Sequence, residues 1–237
     1  MPCGFTRNKM SYDPSAVHSD VERQGWAMIH GLLNPLECRA FSGLYEQEAA
    51  FRSRIIMARH GFGQGEYRYF SYPLPAQLAH LRRELYTNLV TLANGMNERM
   101  GIGIRYPERF EDFQKRCHDA GQRRPTPLLL KYGADDYNCL HQDLYGEHVF
   151  PMQVAVLLSR PGDDFAGGEF ILTEQRPRRQ SRASVVPLAQ GDAVVFTVRD
   201  RPVRGARGFY RVNHRHGVST VRSGSRYTLG IIFHDAL

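Results

Sequence analysis

The stretch Tyr137-Asn138-Cys139-Leu140-His141-Gln142-Asp143 decides how the rest of the chain is read. His141 and Asp143 stand two apart, so on a β-strand their side chains leave the same face. An imidazole and a carboxylate on one face supply two members of a 2-His-1-carboxylate metal site, which leaves positions open on a ferrous ion. By itself His-x-Asp is weak: a chain of this composition contains one by chance about half the time, as a surface His beside a solvated Asp. Its weight comes from companions further along the chain. His216, in His216-Gly217-Val218, offers a third ligand 75 residues on, with His214 two before it on the same strand face. Arg226 comes ten residues after His216, within the strand-like run Ser225–Phe233, and is an anion-binding candidate.

Outward from this stretch the sequence keeps a strand period. Beyond Pro125-Thr126-Pro127 lie runs at Leu128–Tyr132, Tyr137–Asp143, Phe150–Ser159, Glu169–Thr173, Ala193–Val198, Tyr210–Val221 and Arg226–His234. Turn residues separate most of them, as at Gly133–Asp136, Arg160–Asp164 and Gln190–Asp192. Seven or eight short strands with no helix between them predict a two-sheet jelly roll over residues 125–237. Arg176–Arg182 is expected to be a solvated basic hairpin tip.

Residues 20–124 read as a mainly helical part packed on that sheet, giving an α+β chain with one integrated domain. A short strand within Val21–Leu33 leads into Asn34-Pro35-Leu36-Glu37, a helix start with Asn as N-cap, Pro at the first position and Glu at the third. Leu78, Leu81, Leu85, Leu89, Leu92 and Met96 repeat at helical spacing across 76–100. Between these lies a glycine- and aromatic-rich segment, 60–75. Its Gly61, Gly63 and Gly65 match neither nucleotide-binding fingerprint. Tyr67, Arg68 and Tyr69 are candidates for a substrate lid, against the alternative of an aromatic core strand after a glycine hinge. Asp112–Arg124 is charged and expected to be solvated surface, and the adjacent His118 and Asp119 do not share a strand face. Residues 1–19 are polar and expected to be loose.

Between the two histidine motifs come Gly167-Gly168-Glu169-Phe170 and Gly191-Asp192-Ala193-Val194-Val195-Phe196, and after them Gly224-x-Arg226-Tyr227. In that order and spacing, residues 126–235 resemble the Fe(II)/2-oxoglutarate-dependent dioxygenases, in particular the prolyl 4-hydroxylase-like branch. They are also similar to a bacterial group of 2-oxoglutarate oxygenases labelled as oxidative demethylases of damaged DNA. The resemblance implies a double-stranded β-helix with the metal at its open end, held by His141, Asp143 and His216. It implies that Arg226 and Thr228 hold the distal carboxylate of 2-oxoglutarate and that Tyr132 assists. His216 is preferred to His214 because the family's cosubstrate arginine lies ten residues after the ligand; Arg222 is the runner-up to Arg226. His148 and His234 are expected as hydrogen-bonding partners, Gly168 as a site of close backbone approach, and Glu169 and the Gly191-Asp192 turn as structural. The implied cofactors are Fe(II), 2-oxoglutarate and O2, with ascorbate as a candidate reductant. No side chain is implied as a catalytic base.

Of the 237 residues, 42% are hydrophobic and 11% aromatic, enough to bury a core and to set disorder aside. There is no apolar run of membrane-spanning length, and the start lacks the apolar core of a secretion signal. Cys3, Cys38, Cys117 and Cys139 form no C-x-x-C pair. The expectation is a cytoplasmic protein without a membrane partner. A net charge of +7, carried by Arg far more than Lys, suits an anionic partner, nucleic acid included. The substrate expected first is a prolyl or other amino-acid side chain, the alternative an alkylated base in DNA or RNA, and the third a small metabolite. Against the alternative, nucleic-acid demethylases carry Arg-x-Asn-x-x-x-Arg after the distal His, whereas Arg211-Val212-Asn213 precedes His216. Outside enzymes, the competing reading is a non-catalytic metal-binding jelly roll, which has no need of an arginine clamp.

Overall fold

The computed structural model describes residues 12–237. Its α-helices are α1 (Pro14–Gln24), α2 (Pro35–Gly43), α3 (Ala76–Arg99) and α4 (Phe110–Asp119). The strands of the first half are β1 (Trp26–Ile29), β2 (Phe51–Ile56), β3 (Gly63–Gln64) and β4 (Glu66–Phe70). After these come β5 (Leu128–Tyr132), β6 (Tyr137–His141), β7 (Met152–Leu157), β8 (Phe165–Gly167), β9 (Phe170–Gln175) and β10 (Arg182–Val186). The last are β11 (Ala193–Thr197), β12 (Asp200–Gly205), β13 (Gly208–Val218), β14 (Val221–Gly224) and β15 (Arg226–Ile231).

A seven-stranded sheet runs β1-β11-β7-β15-β5-β4-β2, and a second runs β10-β9-β13-β6-β3 with β12 beside β13. Together they form the expected jelly roll, whose small third sheet pairs β14 with β8. The central strands of the larger sheet are buried on both faces, and the two-residue period sorts their side chains between two cores. Val154, Val156, Leu229, Ile231 and Leu129 face the helices, where Leu78, Leu85 and Leu89 of α3 meet them. Leu157, Leu128, Val194 and Phe196 face the other sheet. The space between the sheets is therefore bounded by strand positions of one parity, and the site lies there.

The helix start at Asn34 forms a full capping box: Asn34 accepts from the Leu36 and Glu37 amides, and Glu37 accepts from the Asn34 amide. Residues 1–11 lie outside the described residues. From Pro14 the segment expected to be loose is α1 instead, because Asp13 caps it by accepting from the Ser15 amide (2.9 Å) while Val17 and Val21 bury one side. The charged segment 112–124 is only half surface. It begins in α4, which buries Phe113 and Cys117 and turns its charges outward.

The part before residue 125 also does more than cover the sheet: β1, β2 and β4 extend it. This corrects the lid expectation. Tyr67, Arg68 and Tyr69 are buried in β4, which is hydrogen-bonded to β2 on one edge and β5 on the other. A strand paired on both edges cannot hinge without breaking both ladders. Tyr67 and Tyr69 face the space between the sheets, and Arg68 points the opposite way, over the Tyr45 ring.

Candidate metal and cosubstrate site

The two sequence motifs meet because β13 pairs antiparallel with β6 in a register that sets His216 directly across from His141. Asp143 lies just past the end of β6. Its Oδ1 lies 3.5 Å from His141 Nε2 and its Oδ2 lies 3.4 Å from His216 Nε2. One ligand atom from each residue fits within a 4.8 Å cluster, the spacing of donors around a single ion.

Several features prepare these groups for a metal. His141 Nδ1 contacts the Cys139 carbonyl at 2.8 Å; that oxygen can only accept, so the proton sits on Nδ1 and Nε2 keeps its lone pair. Burial, and then the neighbouring His141, lower the proton affinity of His216, which keeps it neutral as a ligand must be. Its Nδ1 is buried without a partner. Burial would raise the Asp143 carboxyl, but the neighbouring His216, then His141 and the Tyr145 hydroxyl, outweigh it and hold the group well below the usual carboxylate range. Tyr145 donates to Asp143 Oδ1 at 2.7 Å. The donor set fits a ferrous ion.

His214 is placed differently. It shares the strand face of His216 but lies one pleat away, where Nδ1 meets the Thr197 hydroxyl (2.9 Å) and Nε2 accepts from Arg201 (3.2 Å). Arg201 in turn pairs with Glu174 at 2.5 Å. Both nitrogens of His214 are engaged, so it is a buried structural group. Gly25 makes room for it: a Cβ there would sit 1.8 Å from His214 Cε1, and its φ of +88° closes α1 in the left-handed region.

Arg226 is 1% exposed and, among the described residues, has no acidic partner within ion-pair distance; its Nη1 donates to Thr228 Oγ1 at 2.6 Å and its Nε finds no partner among them. β15 sets it opposite Tyr132 of β5, and its guanidinium lies 5.5 Å from that ring's centre. Burial pulls the group down to about 10, which still leaves it cationic at neutral pH. Gly168 lets the chain pass close by, since a Cβ there would meet Arg226 Cδ at 2.9 Å. Arg222 is exposed, 3.8 Å from Glu169, and does not line the cavity. Glu169 accepts from Ser219, and Asp192 accepts from the Gly31 and Ala189 amides, both as structural groups. His148 and His234 stand outside the cavity. His234 accepts from the Phe150 amide.

One cavity of about 210 Å³ holds His141, Asp143 and His216 together with Arg226, Thr228 and Tyr132. Phe62, Tyr67, Tyr69, Tyr145, Gln153 and Phe196 also line it. Sequence reasoning missed three of its working parts. Tyr145 had a signal, being two residues beyond Asp143 in the same alternation. Gln142, whose amide donates to the His214 carbonyl (2.6 Å) and Asn213 Oδ1 (3.1 Å), was hidden between the two residues that drew attention. Gln153 had no signal within an apolar run.

A family model described as "Oxygenase, catalysing oxidative methylation of damaged DNA" matches residues 65–236. A Mycobacterium tuberculosis protein described as uncharacterized is 51% identical over 167 residues, covering 70% of this chain and 72% of its own. Among solved structures, a 2OG-Fe(II) oxygenase family oxidoreductase from Burkholderia pseudomallei aligns with a TM-score of 0.55 at 16% identity, over 98% of this chain and 95% of that one. A Pseudomonas putida prolyl-4-hydroxylase aligns with a TM-score of 0.53 at 14% identity, over 92% and 96%. At such identities these two likenesses speak to the fold.

Proposed function

The chain belongs to the oxygenase family whose model spans residues 65–236, and on that basis we propose that it is an Fe(II)- and 2-oxoglutarate-dependent dioxygenase that hydroxylates a C–H bond. The observation that carries this is Arg226: a buried cation with no anion beside it, in the same cavity as a His-Asp-His cluster. An unpaired buried charge is costly, and a ligand carboxylate relieves the cost.

In this reading His141, Asp143 and His216 hold the metal, and Arg226, Thr228 and Tyr132 hold the distal carboxylate of 2-oxoglutarate. When bound, the metal and cosubstrate supply an oxidant for unactivated C–H bonds, using O2 and releasing succinate and CO2. The chain's own task is orientation and exclusion of water. Cys139 fixes the His141 tautomer, Tyr145 orients Asp143, and Phe170 and Phe196 pack on the His216 ring. The guanidinium fork and the Thr228 hydroxyl fix the diacid at one end.

For the substrate we favour an alkylated base in nucleic acid over the amino-acid side chain that motif spacing put first. The family's description points there, and since an oxygenase oxidises a methyl group rather than transferring one, the consistent sense is removal: an N-hydroxymethyl product would release formaldehyde. The surface supports it. The β9–β10 turn carries Arg178 and Arg179, the β12–β13 hairpin carries Arg204 near the end of β12 and Arg207 in its turn, and all four are exposed. Because Asn213 pairs with Gln175, both turns project from the same end of the smaller sheet. β6 runs toward that same end into Asp143, so the two basic hairpins lie on the Asp143 side of the smaller sheet. No comparable observation favours the prolyl reading.

The test is turnover of 2-oxoglutarate to succinate by the protein with added Fe(II), alone and with single-stranded DNA bearing N-methylated bases. Stimulated turnover with formaldehyde release is expected. No turnover and no binding of 2-oxoglutarate would overturn the reaction, while stimulation by proline-containing peptides alone would overturn the substrate.

A further inference from the structure

We propose that Gln153 is a substrate-recognition residue: its amide donates to a hydrogen-bond acceptor on an uncharged base, making the metal end of the cavity selective for neutral alkylated bases with a ring carbonyl. The proposal rests on the dioxygenase reading and deepens it.

Gln153 is 4% exposed, lines the cavity and leaves its amide nitrogen without a partner among the described residues. A buried donor is rarely left unsatisfied, and each such group in a folded protein calls for a partner. Strand register locates it. Gln153 on β7 pairs with Phe196 on β11, whose ring lies 4.5 Å from His216. On the other side the pairing of Ile231 with Val154 brings Ile232 beside it. From Arg226 to Ile232 is six residues, roughly 20 Å of extended strand. Two orphaned donors, Arg226 and Gln153, thus mark opposite ends of one cavity. A diacid seated on Arg226 reaches toward the histidine–carboxylate cluster, and the row of Phe196, Gln153 and Ile232 bounds the end where a substrate must present its C–H bond.

The chemistry of that end sets the ligand class. An amide nitrogen requires an acceptor. Tyr67, Tyr69, Tyr145 and Phe196 offer flat faces suited to a planar ring. Asp143 is the only acid among the described residues lining the cavity, and His216, His141 and Tyr145 already surround it. A cationic base would find no free counter-charge, whereas a neutral lactam offers Gln153 a carbonyl oxygen.

The test uses the full chain loaded with Zn(II), a diamagnetic stand-in for the metal, and 2-oxoglutarate. Saturation-transfer NMR and calorimetry would compare 3-methylthymidine, which is neutral with ring carbonyls, 1-methyladenosine, which is cationic, and N-acetylproline methylamide. We expect 3-methylthymidine to bind best. Gln153→Leu should weaken it about tenfold, the worth of one buried hydrogen bond, with the Kd of 2-oxoglutarate unchanged. Gln153→Glu, equal in size but with a carboxylate, should shift preference toward 1-methyladenosine and guards against a packing defect in the Leu variant. Equal or better binding of 1-methyladenosine by the wild type, preferential binding of the proline amide, no binding of any probe, or an undiminished affinity in Gln153→Leu would overturn the proposal. So would a loss confined to 2-oxoglutarate, which would assign Gln153 to the cosubstrate. Failure of the wild type to bind 2-oxoglutarate at all would fell the dioxygenase reading itself, and this inference with it.

Discussion

The strongest prediction at the scale of single residues concerns Arg226. Removing one partner of a buried, hydrogen-bonded charge pair costs about 3–5 kcal/mol. At about 1.4 kcal/mol per decade, Arg226→Ala should raise the Kd for 2-oxoglutarate by about two to three orders of magnitude. Arg226→Lys should rescue only partly, because it keeps the charge and loses the fork. Anaerobic calorimetry decides this, and wild-type affinity in the Ala variant would move the clamp elsewhere. The two histidines of β13 give a second contrast. His216→Ala should abolish tight Fe(II) binding. His214→Ala should keep a metal site but lower stability by about 1–3 kcal/mol, because Arg201 and Thr197 lose their buried partner. Metal titration paired with urea unfolding separates them, and the opposite ranking would exchange their roles.

Among elements, the decisive joint is between the end of β6 and β13. Two candidate ligands sit on one side of it and the third on the other, and Gln142 ties the sides together through the His214 carbonyl and Asn213. Asn213 is itself held by Asp200 at 3.2 Å. Groups that orient metal ligands without touching the metal typically contribute 10–100-fold in metal affinity. Gln142→Leu should therefore weaken Fe(II) binding by at least about tenfold, while the metal-free protein, in which the amide is only part-buried, melts close to wild type. A fall in melting temperature with metal affinity intact would make Gln142 a fold residue instead.

At the scale of the whole molecule, two titratable groups near the C-terminus contribute to acid stability, alongside His214, which burial and then the charge of Arg201 lower likewise to about 4. Burial, and then the charge of Arg82, lower His234 to about 4. The unfolded chain takes up this proton near pH 6.5 and the folded chain does not, so stability falls as pH drops from about 6.5 toward 4, by up to about 3 kcal/mol. Burial would raise Asp235, but its pairing with Arg82 at 2.7 Å, with Tyr72 and His118, outweighs that and holds it low. Its contribution is present above the ordinary carboxylate range and is lost on further acidification. Urea unfolding between pH 8 and 4.5 should show the decline, and His234→Asn should make its upper part shallower while His214 keeps the remainder; stability that rises on acidification would refute this. The basic hairpins act at the same scale. Four arginines neutralising four phosphates predict a slope near −3 in log K against log salt for single-stranded DNA. Replacing Arg178 and Arg179 by Ala should remove about half of it. Salt-independent binding would detach those hairpins from nucleic acid.

Much of this was legible in the order of residues, because local physics carried it. Largely apolar runs bounded by turn residues marked β5, β7, β11 and β15 to within a few residues, since a strand buried on both faces is apolar at most of its positions. The Asn34 helix start was readable because a capping box is satisfied within four residues. His141, Asp143, His216 and Arg226 stood out as an ordered set whose spacing resembles that of one oxygenase family. What the chain order could not state was which groups lose their partners on folding. Tyr67 and Tyr69 are cavity wall rather than lid because β4 is paired on both edges, a fact of long-range register. His214 and His216 look equivalent two apart on a strand. The ten-residue offset to Arg226 preferred His216 only by resemblance; the approach of Arg201, Thr197 and Gly25 to His214, and of Asp143 to His216, separates them physically. The partnerless donors of Arg226 and Gln153 are likewise products of packing: Arg226 was marked by its spacing and Gln153 by nothing, and each becomes a demand for a ligand once the sheets close over it and take its water away.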